Sequence, residues 1–314
     1  MIFIKRFPNT KHVNNCIKSK FKNLHVSVNA KTAVNLAYQV IQNDKTKNSS
    51  ANPIIISHGL MGQSNNWKSV SKCLLQDLVP NRKIYVIDNR NHGDSPHTPD
   101  HSYELMSDDT VQLYSTLGLT EAVLLGHSMG GRAFMHTALT KPEKVSSLIL
   151  VDISPIIEGD EVKTILADPL NILKTLATID LRKQKGIELH EGRKIVDKEL
   201  KKLSIDRPGL RQFILQNLKQ NPDRSWSWKI NIPTLIEKYS NLKLLNFKNF
   251  VYDKPVLIVA GEKSNFVPIS HIEPIKKIFP NVRIEFVPNA GHLVHMEHSK
   301  LFCEIVIDFL ASLH

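Results

Sequence analysis

Short, mostly apolar runs recur along this chain, each followed by turn residues and then by a longer stretch in which apolar side chains return every three or four positions. Residues 53–56, 83–87, 122–125, 147–151 and 254–261 are runs of the first kind, which suit buried strands, and 283–287 reads as a further strand of the sheet. Residues 33–40 alternate instead, as an edge strand exposed on one face does. Between these runs, residues 67–78 and 104–117 predict helices, residues 132–139 predict another, and a segment from about 299 to 313 closes the chain as an amphipathic helix. Strand alternating with helix predicts a mainly parallel, twisted sheet with helices on both faces. The alternation breaks off between about 156 and 250. There three apolar-periodic segments, 170–179, 210–218 and 235–247, are separated by charged stretches such as 182–185 and 197–202. This predicts a helical lid inserted between strands, its charge runs forming solvated surface.

Composition changes the picture in two places. The formal charge of +11 suggests nucleic acid only until it is divided along the chain: residues 1–43 hold seven basic side chains and no acid, and the remainder 34 basic against 30 acidic groups. The body is therefore only mildly basic, which argues against a nucleic-acid partner. Residues 1–32 form a basic leader that reads as a mitochondrial presequence, with more lysine, fewer serines and an earlier proline (Pro8) than such segments usually have. The folded domain is then expected over residues 33–314. No apolar run reaches the length of a transmembrane span. Cys16, Cys73 and Cys303 are three thiols at wide spacings, suiting neither a disulfide framework nor a zinc site, and no metal or organic cofactor is expected.

The candidate chemistry centres on Gly126-His127-Ser128-Met129-Gly130-Gly131. A sharp turn from strand to helix holds a serine hydroxyl out at the carboxyl edge of the sheet, and the flanking glycines admit backbone where a side chain would collide. The amide of Met129 then points to where a carbonyl oxygen would become negative, and the amide of Leu60, in His58-Gly59-Leu60-Met61-Gly62, supplies the second donor of an oxyanion hole. His58 braces this loop rather than acting as a base. The turn-rich block Asp88-Asn89-Arg90-Asn91-His92-Gly93-Asp94-Ser95 is structural, its acids and histidine matching no standard metal set. A serine hydroxyl needs a base and an acid behind the base. His292, after the last strand in Asn289-Ala290-Gly291-His292, is the best-placed base. For the acid, Asp152 at the end of run 147–151 is preferred and Glu262 is the fallback, because Ser264 stands where an aspartate would be expected; Ser264 could add a supporting hydrogen bond. Trp226 and Trp228 are read either as acyl-pocket lining or as a lid anchor.

These blocks, together with Val151-Asp152-Ile153-Ser154-Pro155, resemble the abhydrolase domain-containing protein 11 group, which also includes bacterial esterases and relatives of a yeast alcohol acetyltransferase. The resemblance runs from about residue 33 to the C terminus. It implies an α/β-hydrolase fold with an inserted helical lid over about 156–250, and a serine hydrolase acting on carboxylic esters, lipid esters such as diacylglycerol among them. It also implies the triad Ser128, Asp152 and His292, and a mitochondrial address. An acyltransferase using the same triad, or a partner-binding protein that keeps only the fold, are the alternatives. Dehalogenase and epoxide hydrolase chemistry is argued against, since both need aspartate where Ser128 stands.

Overall fold

The computed structural model describes residues 33–47, 49–156, 160–243, 247 and 249–313, the side chains of 160–167 and 243 excepted. The basic leader and Cys16, and with them the presequence reading, lie outside the described residues. In chain order the sheet strands are β1 (Tyr38–Ile41), β2 (Ile54–Ser57), β3 (Ile84–Ile87), β4 (Ala122–His127) and β5 (Val145–Val151). After the lid come β8 (Val256–Gly261) and β9 (Val282–Val287), β6 and β7 being lid strands given below. They pair in the order β1-β3-β2-β4-β5-β8-β9. Only β1 runs antiparallel. The six parallel strands therefore share one carboxyl edge, and the loops that leave it carry Leu60, Ser128, Asp152 and His292.

Two apolar layers lie on the two sides of this sheet. On one, Leu124, Leu148 and Ile258 pack with α2 (Tyr103–Leu117) and α3 (Met129–Thr140). On the other, Val123, Ile149 and Leu257 pack with α1 (Lys68–Asp77) and the C-terminal α10 (Ser299–Ala311). Consecutive residues fall into opposite layers because strand side chains alternate, and burial of both faces explains why the inner strands read as continuously apolar, whereas β9, at the sheet edge, alternates and is only partly buried. The expected strand at 33–40 is narrower than its pattern. Residues 33–37 run outside the ladder, and pairing begins at Tyr38.

The lid is more regular than its sequence predicts. It consists of α4 (Asp160–Ala177), α5 (Leu189–Lys202), α6 (Pro208–Leu215), a hairpin of β6 (Leu218–Gln220) and β7 (Trp226–Trp228), and α7 (Ile232–Glu237). The charged stretch 197–202, expected as a separator, belongs to α5. Lysine and glutamate are good helix formers, and in this helix they leave Val196 and Leu200 buried on the inner stripe. Trp226 is buried against Gly192 of α5, where an added Cβ would meet the indole ring at 2.5 Å, so it is a lid anchor. Cys303 is buried on α10 and Cys73 is half-buried on α1. Among the described residues no helix is long and apolar enough to cross a membrane. Two further helices, α8 (Ile272–Ile278) and α9 (Val294–Glu297), flank β9.

Candidate active site

Ser128 stands between β4 and α3 with φ 50° and ψ −115°, a conformation that costs a non-glycine residue energy and persists only where its surroundings enforce it. The enforcement is local. A Cβ at Gly126 would lie 2.6 Å from the Gly131 backbone, and one at Gly130 would lie 2.3 Å from Ser57 Oγ and 2.5 Å from the His58 carbonyl. The turn is therefore pressed against the end of β2, and only glycine fits on either side of the serine. The helix starts at Met129, three residues earlier than its apolar periodicity suggests, because the glycines that close the turn interrupt the pattern without interrupting the helix.

The oxyanion-loop amides divide into two sets. Met61 donates to His92 Nε2 at 3.2 Å and Gly62 to the Gly59 carbonyl at 2.9 Å. Among the described residues the amides of Leu60 and Met129 meet no acceptor, so both remain available to a developing negative charge. His58 and His92 brace this loop. His58 Nδ1 donates to the Gly59 carbonyl at 2.8 Å while its Nε2 accepts from the Asn89 amide at 3.0 Å. His92 Nδ1 donates to the Arg90 carbonyl at 3.0 Å. Burial lowers their pKa values to about 4 and about 3 respectively, which keeps both neutral, as the accepting role of each Nε2 requires. In the same block Asp88 accepts from the amides of Ser64, at 2.6 Å, and Asp94, at 2.9 Å. Arg90 clamps Asp109 through two bonds of 2.6 Å. This block is scaffolding, as its turn chemistry suggests.

His292 Nδ1 donates to Asp152 Oδ2 at 2.7 Å, and the two side chains are 30% and 0% exposed. Asp152, at φ 48° just past β5, also accepts the Gly261 amide at 2.9 Å on Oδ1 and the Ser264 hydroxyl on Oδ2. Three donors thus hold a fully buried carboxylate, offsetting the cost of taking it out of water. Glu262, the alternative acid, points elsewhere and accepts the Asn289 amide at 2.8 Å, bracing the loop that delivers His292. The imidazole is stacked against Phe266, with centroids 3.8 Å apart and planes 18° apart, and its backbone carbonyl accepts from His127 Nε2 at 2.9 Å. Among the described residues the Ser128 hydroxyl makes no hydrogen bond, so the link from serine to imidazole is open in this structure. Such links are often long in sites without substrate.

Three contributors escape a sequence reading. Phe266 stacks on the His292 ring from a loop whose evident signal is its missing aspartate. His127 is an unremarked residue of the elbow motif. Asn217, at the foot of the lid hairpin, donates to the Met61 carbonyl at 2.7 Å and so ties lid to oxyanion loop. That pairing spans 156 residues and has no local signature.

Known proteins resemble this chain in sequence and in fold. Residues 52–299 match the family model described as alpha/beta hydrolase fold. The chain is 36% identical over 278 residues to the sn-1-specific diacylglycerol lipase ABHD11 of Mus musculus, covering 88% of this chain and 85% of that protein. It is 26% identical over 269 residues to the Esterase YbfF of Escherichia coli, covering 84% and 93% of the two chains. Among solved structures, one titled Marine microorganism esterase superposes with a TM-score of 0.76 at 32% identity, covering 88% of this chain and all of the other. The chain thus belongs to the α/β-hydrolase fold family and, within it, to the abhydrolase domain-containing protein 11 family.

Proposed function

We propose that this protein is a serine hydrolase of carboxylic esters. Ser128 Oγ attacks the ester carbonyl, His292 Nε2 takes its proton, and buried Asp152 holds the imidazole through Nδ1 and stabilises the imidazolium. The amides of Leu60 and Met129 hold the oxyanion, a service for which removal of a single donor typically raises the barrier by about 3–4 kcal/mol. His292 returns the proton to the departing alcohol, and water, activated by the same imidazole, releases the acid from Ser128. The observation that carries this reading is the 2.7 Å bond from His292 to a carboxylate that is itself fully buried and triply bonded, at the sheet edge where Ser128 is also held. The relatives named as lipase and esterases support the same class. Lipid esters, diacylglycerol among them, are the substrates to test first.

Labelling with a fluorophosphonate probe tests the reading. The intact protein is expected to label and to hydrolyse short p-nitrophenyl esters, and Ser128→Ala to do neither. An intact, folded protein that neither labels nor turns over would overturn it. Adding an alcohol at fixed ester concentration separates hydrolysis from acyl transfer by the same triad.

A further inference from the structure

The helix that follows the nucleophile carries a second charged group beneath the lid. On α3, Met129, Arg132, Ala133 and His136 recur at intervals of three and four and so share one face. Met129 and Ala133 pack in the apolar cluster that contains lid residues Leu173, Leu176, Leu235 and Tyr239, so this face looks toward the lid. Helical side chains lean back toward the N terminus of their helix, which for Arg132 is the end that holds Ser128. Arg132 is only 4% exposed. Among the described residues its Nη1 has no hydrogen-bond partner. Burial pushes its guanidinium below the ordinary arginine value, and among the described residues the ionisable groups that act on it are the phenols of Tyr103 and Tyr239 rather than any carboxylate.

Two other buried arginines of this fold meet acids, and a third meets a backbone carbonyl. Arg90 makes two bonds to Asp109, Arg211 bonds Asp197 at 2.9 Å and two backbone carbonyls, and Arg82 donates to the Asn52 carbonyl at 2.7 Å. A buried cation without a counter-charge is strongly unfavourable, and a planar guanidinium is matched best by a planar oxyanion that it can grip through two donors. We propose that Arg132 receives a carboxylate carried by the substrate, so that the preferred esters bear a carboxylate on the acyl or the alcohol side of the scissile bond. This rests on the serine-esterase reading and narrows it, ranking carboxylate esters above neutral ones such as diacylglycerol: a neutral ester leaves the cation unpaired, whereas a carboxylate ester neutralises it.

Two matched pairs test the proposal: p-nitrophenyl hemiglutarate against p-nitrophenyl valerate for the acyl side, and acetoxyacetate against its methyl ester for the alcohol side. In the intact protein kcat/KM is expected to favour the anionic member of at least one pair by tenfold or more. In Arg132→Met that ratio is expected to fall toward unity, and in Arg132→Lys to be kept in part. Fluorophosphonate labelling of Ser128 in each variant reports that the fold is intact, which removal of an unpaired buried charge is not expected to disturb. A labelled protein that favours neither anion, or a preference that survives in Arg132→Met, overturns the proposal. If the intact protein neither labels nor hydrolyses any of the four esters, the esterase reading falls by itself. Calorimetric titration with glutarate then decides Arg132 alone: binding that is lost in Arg132→Met supports the site, and no binding overturns it.

Discussion

Asp152 shows how much of a site's chemistry can rest on the surroundings of one side chain. A carboxylate with no exposure is tolerable only if its oxygens are satisfied, and here a backbone amide, a serine hydroxyl and an imidazole satisfy them. On the proposed mechanism, Asp152→Asn leaves His292 without its orienting acid and is expected to lower kcat roughly 10⁴-fold, read with p-nitrophenyl butyrate. Ser264→Ala removes one donor to the same oxygen. A hydrogen bond to a charged group is worth about 1.5–3 kcal/mol, so kcat/KM is expected to fall at least tenfold while fluorophosphonate labelling persists, more slowly. Unchanged kinetics in Ser264→Ala would show that the hydroxyl is a bystander. The sequence already marks Ser264 as standing in an aspartate's place. That its hydroxyl bonds the acid from the preceding strand follows only from the pairing of β5 with β8.

At the scale of elements, two glycines separate steric from conformational demands. Gly130 has ordinary φ but no room, with Ser57 Oγ 2.3 Å from the place of a Cβ, whereas Gly118 has open space around it and a φ of +64° at the end of α2. Gly130→Ala must push the elbow off β2 and is expected to abolish labelling of Ser128. Gly118→Ala is expected to cost only about 1 kcal/mol, the usual penalty for alanine in a left-handed cap, seen as a lowered urea midpoint with labelling intact. The lid has a comparable joint. Asn217→Ala leaves the buried Met61 carbonyl without its 2.7 Å donor, which should destabilise the protein by about 1–3 kcal/mol. It should also lower kcat, since Met61 adjoins the Leu60 amide. A variant with lowered stability but native kcat would show that the lid does not position the loop.

The whole molecule buries several histidines in neutral form, and this sets its response to acid. Burial lowers the pKa values of His58, His92 and His295 from 6.5 to about 4, 3 and 3. His101 and His127 are lowered well below the ordinary value, again chiefly by burial. Because the folded values lie below the unfolded one, the unfolded chain takes up protons first as the pH falls. Stability is therefore complete above about pH 6.5 and is lost progressively as the pH drops toward 4. Each such histidine is expected to remove up to about 2 kcal/mol by pH 5, at 1.36 kcal/mol per pH unit. Urea midpoints measured from pH 7.5 to 5 should fall steeply, and His295→Gln, which removes one titrating ring stacked on Trp67, should flatten the slope. A midpoint independent of pH would contradict neutral burial.

Local pattern determined most of the sheet and the elbow, and singled out the two amides proposed to hold the oxyanion, because burial on both faces writes itself as apolar runs and a cramped turn can be met only by glycine. It also limited the acid to Asp152 or Glu262, since both leave strands at the same edge. Tertiary structure brings only one of them to His292: β5 and β8 lie side by side, so Asp152 bonds the imidazole while Glu262 turns out to the neighbouring loop. The lid's hairpin, the tie from Asn217 to Met61 and the lack of an acid beside Arg132 among the described residues were likewise beyond the chain's local pattern. Each depends on which residues from distant segments fail or manage to meet, and that is a property of packing rather than of spacing.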